Sequence, residues 1–174
     1  KISKKIGFKV PFKRPAKLSK DNTETYDVIK HCLAWYKKNQ NKEFDLFINL
    51  QPTSPFRKLA TLNKSFKIFM NEKNKYDSLV TLTKINKDFL LKKHLIVDKN
   101  TVKKLSKNSR LISKNSYIRD GNVNPLGKIS NIFSKKNLYG SNCYGLIIKD
   151  TSESIDINTH LDHVIAEKVA EEIE

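Results

Sequence analysis

The segment that decides the fold is FDLFINLQPTSP, which runs from Phe44 to Pro55. Its first part, Phe44 to Leu50, is strand-like and apolar on both faces, as is typical of a central strand in a parallel sheet. The strand stops at Gln51 and Pro52, because proline cannot donate to a ladder of backbone hydrogen bonds. The sequence therefore predicts a buried strand that runs into a stiff polar loop.

Apolar periodicity on both sides of this segment extends the prediction to a layered fold. The predicted elements are strands at 8–12, 77–83 and 144–149 and helices at 25–38, 59–70 and from about 159 onward. For the helix at 25–38, the capping oxygens are expected from Asp21, Asn22 and Thr23. Strands and helices that alternate at this spacing favour an α/β domain with right-handed crossovers.

The chain shows no internal repeat and no Gly/Ser linker, so residues 1–174 are predicted to form a single domain. The region 84–116 is rich in lysine and asparagine and sustains neither the helix nor the strand period. We expect it to leave the sheet as an inserted arm or flap and to be a candidate for dimerisation. The chain opens at Lys1, and its single methionine is Met70, so we expect that a further segment precedes it.

The charge of the chain comes almost entirely from lysine. Lysine and arginine number 34 against 18 acidic residues, which gives a net charge of +16, and only four of the basic residues are arginines. Nucleic-acid surfaces favour arginine, because its planar guanidinium bonds phosphates and guanine edges two at a time. An AT-rich genome produces the same excess of lysine and asparagine through its codons. We therefore do not expect a nucleic-acid partner, although the lysines attract small polyanions such as nucleotides.

The remaining composition favours a cytoplasmic location. No apolar run approaches the roughly 18 residues that a membrane span needs, and no signal-peptide pattern opens the chain. The two cysteines, Cys32 and Cys143, are too few to cross-link a fold of this size and lack the spacing of a metal site. We therefore expect a reducing compartment and no membrane partner.

The polar loop after the strand is the most informative segment for function. In open α/β sheets, ligands bind beyond the carboxyl ends of the strands. Gln51, Thr53 and Ser54 present an amide and two hydroxyls, which suit a polyhydroxylated ligand, and Arg57 offers a fork for a carboxylate or phosphate. The alternative is a rigid turn whose polar groups cap the next helix. The residues alone leave both interpretations open.

Several segments resemble the acylneuraminate cytidylyltransferases, the enzymes that make CMP-sialic acid and CMP-legionaminic acid. Residues 50–57 resemble the signature LQPTSPLR of that family. Further similarity lies, in order, at 9–18 (EVPFLRPAEL in the family), 21–28 (DTASTLDV), 76–81 (ADSVVSV), 117–124 (YRENGAIY) and 154–159 (SIDIDT). Because these matches are ordered and extend to about residue 170, the resemblance covers essentially the whole chain.

The resemblance implies a Rossmann-like nucleotidyltransferase that acts as a homodimer. In such an enzyme the anomeric hydroxyl of a nine-carbon sugar acid attacks the α-phosphorus of CTP, and pyrophosphate leaves. This reaction needs the attacking and leaving oxygens in line and a divalent cation, Mg²⁺, to neutralise the phosphate charge. CTP and a sialic or legionaminic type of sugar acid are therefore the expected partners.

The same resemblance assigns roles to individual residues. The expected nucleotide contacts are Arg14 and Thr25, and the expected sugar-acid contacts are Gln51, Thr53, Ser54, Arg57, Tyr117 and Asn122. Arg119 and Asp156 are the expected catalytic residues, Arg119 as partner of the sugar carboxylate. Asp156 also matches the first metal-binding aspartate of the family, and Asn158 stands at the second.

Three departures from the family bear on activity. Asn158 provides a neutral amide where the family has a carboxylate, so we expect metal affinity to fall. Asp120 replaces an asparagine near the expected sugar carboxylate, which it would repel. No segment resembles the glycine- and arginine-rich nucleotide loop, and the fold is expected to lack the strand that carries it. We therefore expect these residues alone to be inactive. The alternatives are a non-catalytic remnant and a basic module that binds nucleic acid or nucleotides.

Overall fold

A computed structural model describes residues 2–84, 95–98, 101–104, 117–119, 123–134 and 137–173. The strands are β1 (Leu46–Ile48), β2 (Ser78–Lys84), β3 (Leu95–Asp98), β4 (Thr101–Lys104), β5 (Tyr117–Arg119), β6 (Leu126–Lys128) and β7 (Cys143–Ile147). The helices are α1 (Ile2–Lys5), α2 (Thr25–Gln40), α3 (Leu59–Glu72), α4 (Ile129–Ser134) and α5 (His160–Ile173), with 3-10 turns at Ala16–Leu18 and Thr151–Ser154. These elements confirm the α/β class expected from the sequence.

The main sheet has five strands and mixed directions, with β2 at its centre. Along one edge of β2, β7 runs parallel, while β5 and β6 share the other edge and run antiparallel. This arrangement buries the first half of β2 completely, since Ser78 and Thr81 are as inaccessible as Leu79. The core of the domain forms here, from Phe69 of α3, Leu79, Leu126 and Leu146, with Val123 packed beside them.

The expectation of a central parallel strand over 44–50 is wrong. β1 is shorter than expected, pairs antiparallel with β6, and has no strand on its other edge in the described part of the chain. Ile48 is 43% exposed. An apolar run predicts burial, but it does not specify which strand becomes the neighbour or in which direction that strand runs.

The amino-terminal segment also differs from the prediction. Residues 8–12 form no strand, and Phe8 is 66% exposed. Phe12 instead places its ring against Trp35 of α2, at a centroid separation of 5.0 Å. The N-cap of α2 is Glu24, which makes no side-chain capping bond, rather than one of the three residues expected. The apolar residues at 8–12 follow the pattern of a strand, but Phe12 packs its ring on α2 instead. Such ring contacts have no fixed period in sequence, so the pattern alone could not predict this one.

Most of the expected arm at 84–116 lies outside the described residues. Within it, β3 and β4 pair antiparallel, with Leu95 opposite Lys104 and Asp98 opposite Thr101. Its role in dimerisation stays a prediction. None of the helices that the structure describes combines the length and the apolar character that a membrane crossing requires.

Candidate functional site

The loop that follows β1 is braced by its own backbone and by Arg57. The carbonyl oxygen of Gln51 accepts a hydrogen bond from Arg57 Nη2 at 2.7 Å and another from the Ser54 N–H at 3.3 Å. Part of the Arg57 guanidinium is therefore committed to the loop. This contact fixes the turn and leaves the side-chain amide of Gln51 without a hydrogen-bond partner among the described residues.

The contacts at the start of α3 test the alternative interpretation of the loop as a capping turn. The Glu153 carboxylate, only 4% exposed, accepts from the Lys58 N–H at 3.3 Å and from the Thr61 hydroxyl at 2.9 Å. Lys58 also pairs with Asp150, and this cation holds the pKa of the Asp150 carboxyl at about 2. No side chain makes a capping bond at the start of α3, so the polar side chains of the loop are not its caps.

One end of the loop is hydrogen-bonded to the segment that leads into β6. Asn49 donates its N–H to the Pro125 carbonyl at 2.9 Å, and its carbonyl accepts from the Asn124 N–H at 3.1 Å. The side chain of Asn49 adds a bond from Nδ2 to the Asn124 carbonyl at 2.6 Å. These bonds place the start of the loop beside the end of the motif at 117–124.

The other end of the loop is joined to the motif at 154–159. The Ile157 N–H donates to the Thr53 carbonyl at 2.8 Å. Two buried oxygens in the joined segments, Ser54 Oγ and Asp156 Oδ1, have no hydrogen-bond partner among the described residues. Buried polar atoms are nearly always paired, so each of these two oxygens is a candidate contact for a ligand or ion.

The two candidate metal ligands contact each other. Asn158 Nδ2 donates to Asp156 Oδ2 at 3.0 Å, which leaves Oδ1 of Asp156 as the oxygen without a partner. The nearby Asp162 accepts at Oδ2 from the hydroxyl and N–H of Thr159 and from the Asn158 N–H, and these bonds lower its pKa. The described residues hold no group of three His, Cys, Asp or Glu side chains that fits a metal ion.

A polar cavity of about 350 Å³ lies where the loop, the start of α2 and the turn before β7 meet. We call it the polar cavity; its lining residues are Glu24, Thr25, Tyr26, Asn49, Gln51, Asn124, Asn137, Leu138 and Tyr139. Thr25, an expected nucleotide contact, and Gln51, an expected sugar-acid contact, therefore share one cavity. The sequence did not single out Asn49, Asn124 or Tyr139 as site residues.

The turn that carries Tyr139 is held by two side-chain oxygens, one from an amide and one from a carboxylate. Asn137 Oδ1 accepts from the N–H groups of Tyr139 at 2.6 Å and Gly140 at 2.8 Å. Asp77 Oδ2 accepts from the Ser141 N–H at 2.7 Å, at the foot of β2. The Tyr139 hydroxyl then reaches Asn124 Oδ1 at 3.1 Å. The side chains of Asn137, Asp77 and Asn124 thus fix the position of this phenol, and none of them was an expected site residue.

Other expected site residues lie elsewhere or outside the description. Arg14 is exposed and does not line the polar cavity. Tyr117 lies in β5 opposite Lys84, and Arg119 lies in the same strand opposite Leu82. The side chain of Arg119 is outside the described part of the structure. Asn122 lies outside the described residues. The structure therefore places Gln51 beside Thr25 in the polar cavity and joins Thr53 to the 154–159 motif, whose Asp156 and Asn158 are not part of the cavity lining. The roles of the expected site residues stay predictions.

Two larger cavities flank β1, and neither contains a site residue expected from the sequence. They measure about 820 and 450 Å³ and are lined largely by apolar side chains, among them Phe44, Phe133 and Ile129 in both. Lysines also line them, Lys73 and Lys128 in the larger cavity and Lys37 and Lys42 in the smaller one. The polar cavity is smaller, but its lining contains Thr25 and Gln51, which the sequence singled out.

Comparison with known proteins adds three relatives, and no protein-family model matches the chain. Over 175 residues the chain is 27% identical to the post-translational flagellin modification protein B of Campylobacter coli, covering 99% of this chain and 72% of that protein. It is 27% identical over 157 residues to the N-acylneuraminate cytidylyltransferase of Escherichia coli O18:K1:H7, covering 88% of this chain and 35% of that protein. It is 29% identical over 181 residues to the CMP-N,N'-diacetyllegionaminic acid synthase of Legionella pneumophila, covering 98% of this chain and 72% of that protein.

Fold and site together define an α/β protein with a polar cavity beside the loop that ends β1. The relatives narrow this class, because two of them are named for the transfer of CMP to a sugar acid. They confirm the resemblance to the acylneuraminate cytidylyltransferase family that the sequence motifs indicated.

Proposed function

We propose that this protein takes part in activating a nine-carbon keto-sugar acid, of the sialic or legionaminic type, with CTP. The anomeric hydroxyl releases its proton to water, its oxygen forms a bond to the α-phosphorus, the bond between that phosphorus and the bridging oxygen breaks, and pyrophosphate departs. The observation that carries the proposal is the polar cavity, because Thr25 and Gln51 both line it. Nucleotide and sugar acid would then meet at one place, as the reaction requires.

The loop supplies the groups that would bind and orient the sugar acid. Gln51 has a free amide, and Thr53 and Ser54 have hydroxyls without protein partners in the described part of the chain. Arg57 fixes the loop by its bond to the Gln51 carbonyl, so these groups are held in one arrangement before the ligand arrives. Such preorganisation reduces the entropy lost on binding.

We propose Mg²⁺ as the cation that accompanies the triphosphate. Asp156 would hold it through the unpaired Oδ1, and Asn158 would contribute its amide oxygen. One carboxylate and one amide suit an ion that keeps substrate phosphates and water among its ligands better than an ion enclosed by protein. When bound, such a cation neutralises negative charge on the phosphates.

The test is formation of CMP-sugar from CTP, Mg²⁺ and either N-acetylneuraminic or legionaminic acid, followed by mass spectrometry. Because no segment resembles the glycine- and arginine-rich nucleotide loop, we propose that these 174 residues turn over poorly alone. The chain should therefore be compared with one to which a glycine- and arginine-rich nucleotide loop is joined ahead of Lys1. Product from neither form would contradict the proposal, and rapid turnover by the short form would contradict the expected dependence on the loop.

A matched pair of glutamine variants locates the sugar-acid contact. Gln51→Ala should raise KM for the sugar acid by about tenfold, the effect of one lost hydrogen bond in a closed site. Gln40→Ala, at the exposed end of α2, should leave the KM for the sugar acid and the KM for CTP unchanged.

A salt titration with an oligonucleotide tests the alternative of a module that binds nucleic acid, because nonspecific binding to nucleic acid weakens steeply as salt rises. We also propose a homodimer and a cytoplasmic location, of which light scattering checks the first.

A further inference from the structure

An apolar groove lies beside β1, where the helices α2, α3 and α4 meet. It consists of the two larger cavities, which adjoin because Phe44, Ile129 and Phe133 line both of them. We call the two together the apolar groove. Phe66 and Phe133 are 52% and 57% exposed there. Large aromatic side chains exposed next to one another are typical of a surface that binds another protein.

The charged residues of the groove are mainly lysines. Four lysines and two carboxylates line it, namely Lys37, Lys42, Lys73, Lys128, Glu43 and Asp45. Lys37 pairs with Glu43, and Lys128 Nζ lies 3.6 Å from Asp77. The side chains of Lys42 and Lys73 have no ion-pair partner among the described residues. The groove therefore fits an occupant that is both apolar and negatively charged.

The last helix of the chain, α5, has both of these properties. It contains four acidic residues and one lysine, so its net charge is −3 in a chain whose net charge is +16. The structure describes all of its residues from 160 to 173, and Ala166 alone is buried. Leu161, Val164 and Ile165 recur at helical spacing on its exposed side, and Leu161 is 68% exposed. We call these three residues the apolar stripe.

We propose that α5 of one copy docks in the apolar groove of a second copy. The apolar stripe packs on Phe66 and Phe133, and the carboxylates of α5 lie near the lysines of the groove. Each copy supplies one helix and one groove, so a two-fold axis makes the contact twice and closes the assembly as a dimer. Two contacts matter, because a specific interface buries roughly 1,200 Å² or more. The inference assigns an interface to the homodimer proposed above, and it does not depend on the proposed chemistry.

The net charge of the chain favours a contact that involves α5. Two copies at +16 repel each other, but at an ionic strength of about 0.15 M charges more than roughly 8 Å apart are largely screened. Association then depends on the charges at the contact itself. An acidic helix against lysines provides attraction there, whereas two basic surfaces would not.

Sedimentation velocity measures the dimer and its loss in two variants. The wild-type chain should dimerise with a Kd of about 10 μM, a weak affinity that suits a small interface. Phe133→Glu in the groove and Ile165→Glu in the stripe should each raise this Kd about a hundredfold, because each places a carboxylate in an apolar contact that occurs twice. Both residues are exposed in a single copy, so the melting temperatures of dilute samples should stay unchanged.

Two other exposed apolar residues provide matched controls. Phe8 and Ile6 are each 66% exposed and lie outside the groove and the stripe. Phe8→Glu and Ile6→Glu should therefore keep the wild-type Kd. Loss of the dimer in these controls as well would overturn the assignment, because it would show that any added carboxylate prevents association.

A mixture of the two variants tests the pairing of helix with groove. The Phe133→Glu chain retains an intact α5, and the Ile165→Glu chain retains an intact groove. One of the two contacts therefore forms in the mixed dimer and neither forms in the unmixed ones. The mixture should associate about tenfold more tightly than either variant alone. No recovery on mixing would overturn the docking of α5 in the groove.

Charge reversal tests the role of the lysines and leaves the apolar contacts in place. Lys73→Glu should raise the Kd about tenfold. Lys64→Glu, on the exposed side of α3 and outside the groove, makes the same change in net charge and should not raise the Kd, because the two copies then repel each other less. Equal effects of the two variants would overturn the charge complementarity.

The outcomes separate this inference from the proposed function. A monomer at every concentration, a dimer that both Phe133→Glu and Ile165→Glu leave intact, or a dimer lost on Ile48→Lys at the edge of β1 would overturn the inference. A series of larger oligomers would overturn the two-fold closure. CMP-sugar formation is measured on the same samples. Product from a monomer would overturn this inference alone, and the expected dimer without product from either form of the chain would overturn the proposed function alone.

Discussion

The Asp77 side chain lies so close to the backbone of Gly140 that a Cβ built on residue 140 would be 2.3 Å from Asp77 Cβ. Gly140 also has a φ of +73°, a conformation that residues with side chains rarely adopt. Asp77 uses this contact to receive the Ser141 N–H, which anchors the turn that presents Tyr139. A glycine far from the loop motif is therefore needed for the shape of the polar cavity.

We predict that Gly140→Ala destabilises the protein by about 3 kcal/mol, from backbone strain and from the overlap with Asp77. Gly7→Ala is the matched control. Gly7 has a φ of +88° and nothing within 4 Å of a built Cβ, so it carries the strain alone and should cost about 1 kcal/mol. Urea unfolding of both variants measures the difference. Equal losses would show that the contact with Asp77 relaxes freely.

We predict that Glu153→Ala lowers the free energy of unfolding by about 2 to 3 kcal/mol, because it leaves the Lys58 N–H and the Thr61 hydroxyl without their acceptor. Glu172→Ala, at the exposed end of α5, should have little effect. A double-mutant cycle with Thr61→Ala should give a coupling of about 1 kcal/mol. A coupling near zero would contradict a direct bond between the two side chains.

The ion pair at the start of α3 predicts a loss of stability in acid. Hydrogen bonds from Lys58 first, and then from Ser152, lower the pKa of Asp150 from 3.8 to about 2. A folded-state pKa below the unfolded value stabilises the fold above about pH 4, and this contribution disappears as the pH falls towards 2. The stability difference between wild type and Asp150→Asn should therefore be constant above pH 4 and shrink below it.

Lys58→Gln tests the cause of the Asp150 shift. Without the cation, the pKa of Asp150 should rise towards 3.8, although the bonds from Ser152 remain. A carbon-detected NMR titration of the Asp150 carboxyl measures this directly. An unchanged titration would attribute the lowered pKa to Ser152 alone.

We predict that Asn158→Asp increases Mg²⁺ affinity by about tenfold, because a second carboxylate joins Asp156 at the candidate metal site. The same change replaces the bond from Asn158 Nδ2 to Asp156 Oδ2 with repulsion, so the melting temperature without metal should fall. Calorimetric titration with Mg²⁺ and thermal melts in a chelator check both effects. Asn63→Asp, on the exposed face of α3, is the control. Unchanged affinity would exclude residue 158 from metal binding.

Local patterns were sufficient to predict those elements whose burial repeats along the chain. The helices at α2, α3 and α5 and the strands β2 and β7 begin and end close to the expected positions, because their apolar residues recur at the helical or strand period. The strand expected at 8–12 failed, since exposed apolar residues there follow the same pattern without a neighbouring strand. The edge position of β1 depends on pairing with β6, which no local pattern encodes.

The candidate site, too, could be predicted from the sequence only in part. Gln51 and Thr25 stand in continuous motifs, so the sequence singled them out, and both line the polar cavity. Asn49 and Asn124 meet across 75 residues of sequence, and Asn124 meets Tyr139 across 15. Their hydrogen bonds exist only after the sheet and the Gly140 turn have formed. A motif search compares residues that are close in sequence, and therefore it could not predict these contacts.

Among the strands that the structure describes, none pairs with the second edge of β1, and this has a consequence for handling the protein. A strand with unpaired N–H and C=O groups is a template on which a second copy adds its own strand. Beside this edge, Ile48 and Leu50 are 43% and 39% exposed, so apolar contact would reinforce such pairing. Concentrated samples are therefore expected to self-associate through β1, and a lysine gatekeeper at position 48 should keep them monodisperse.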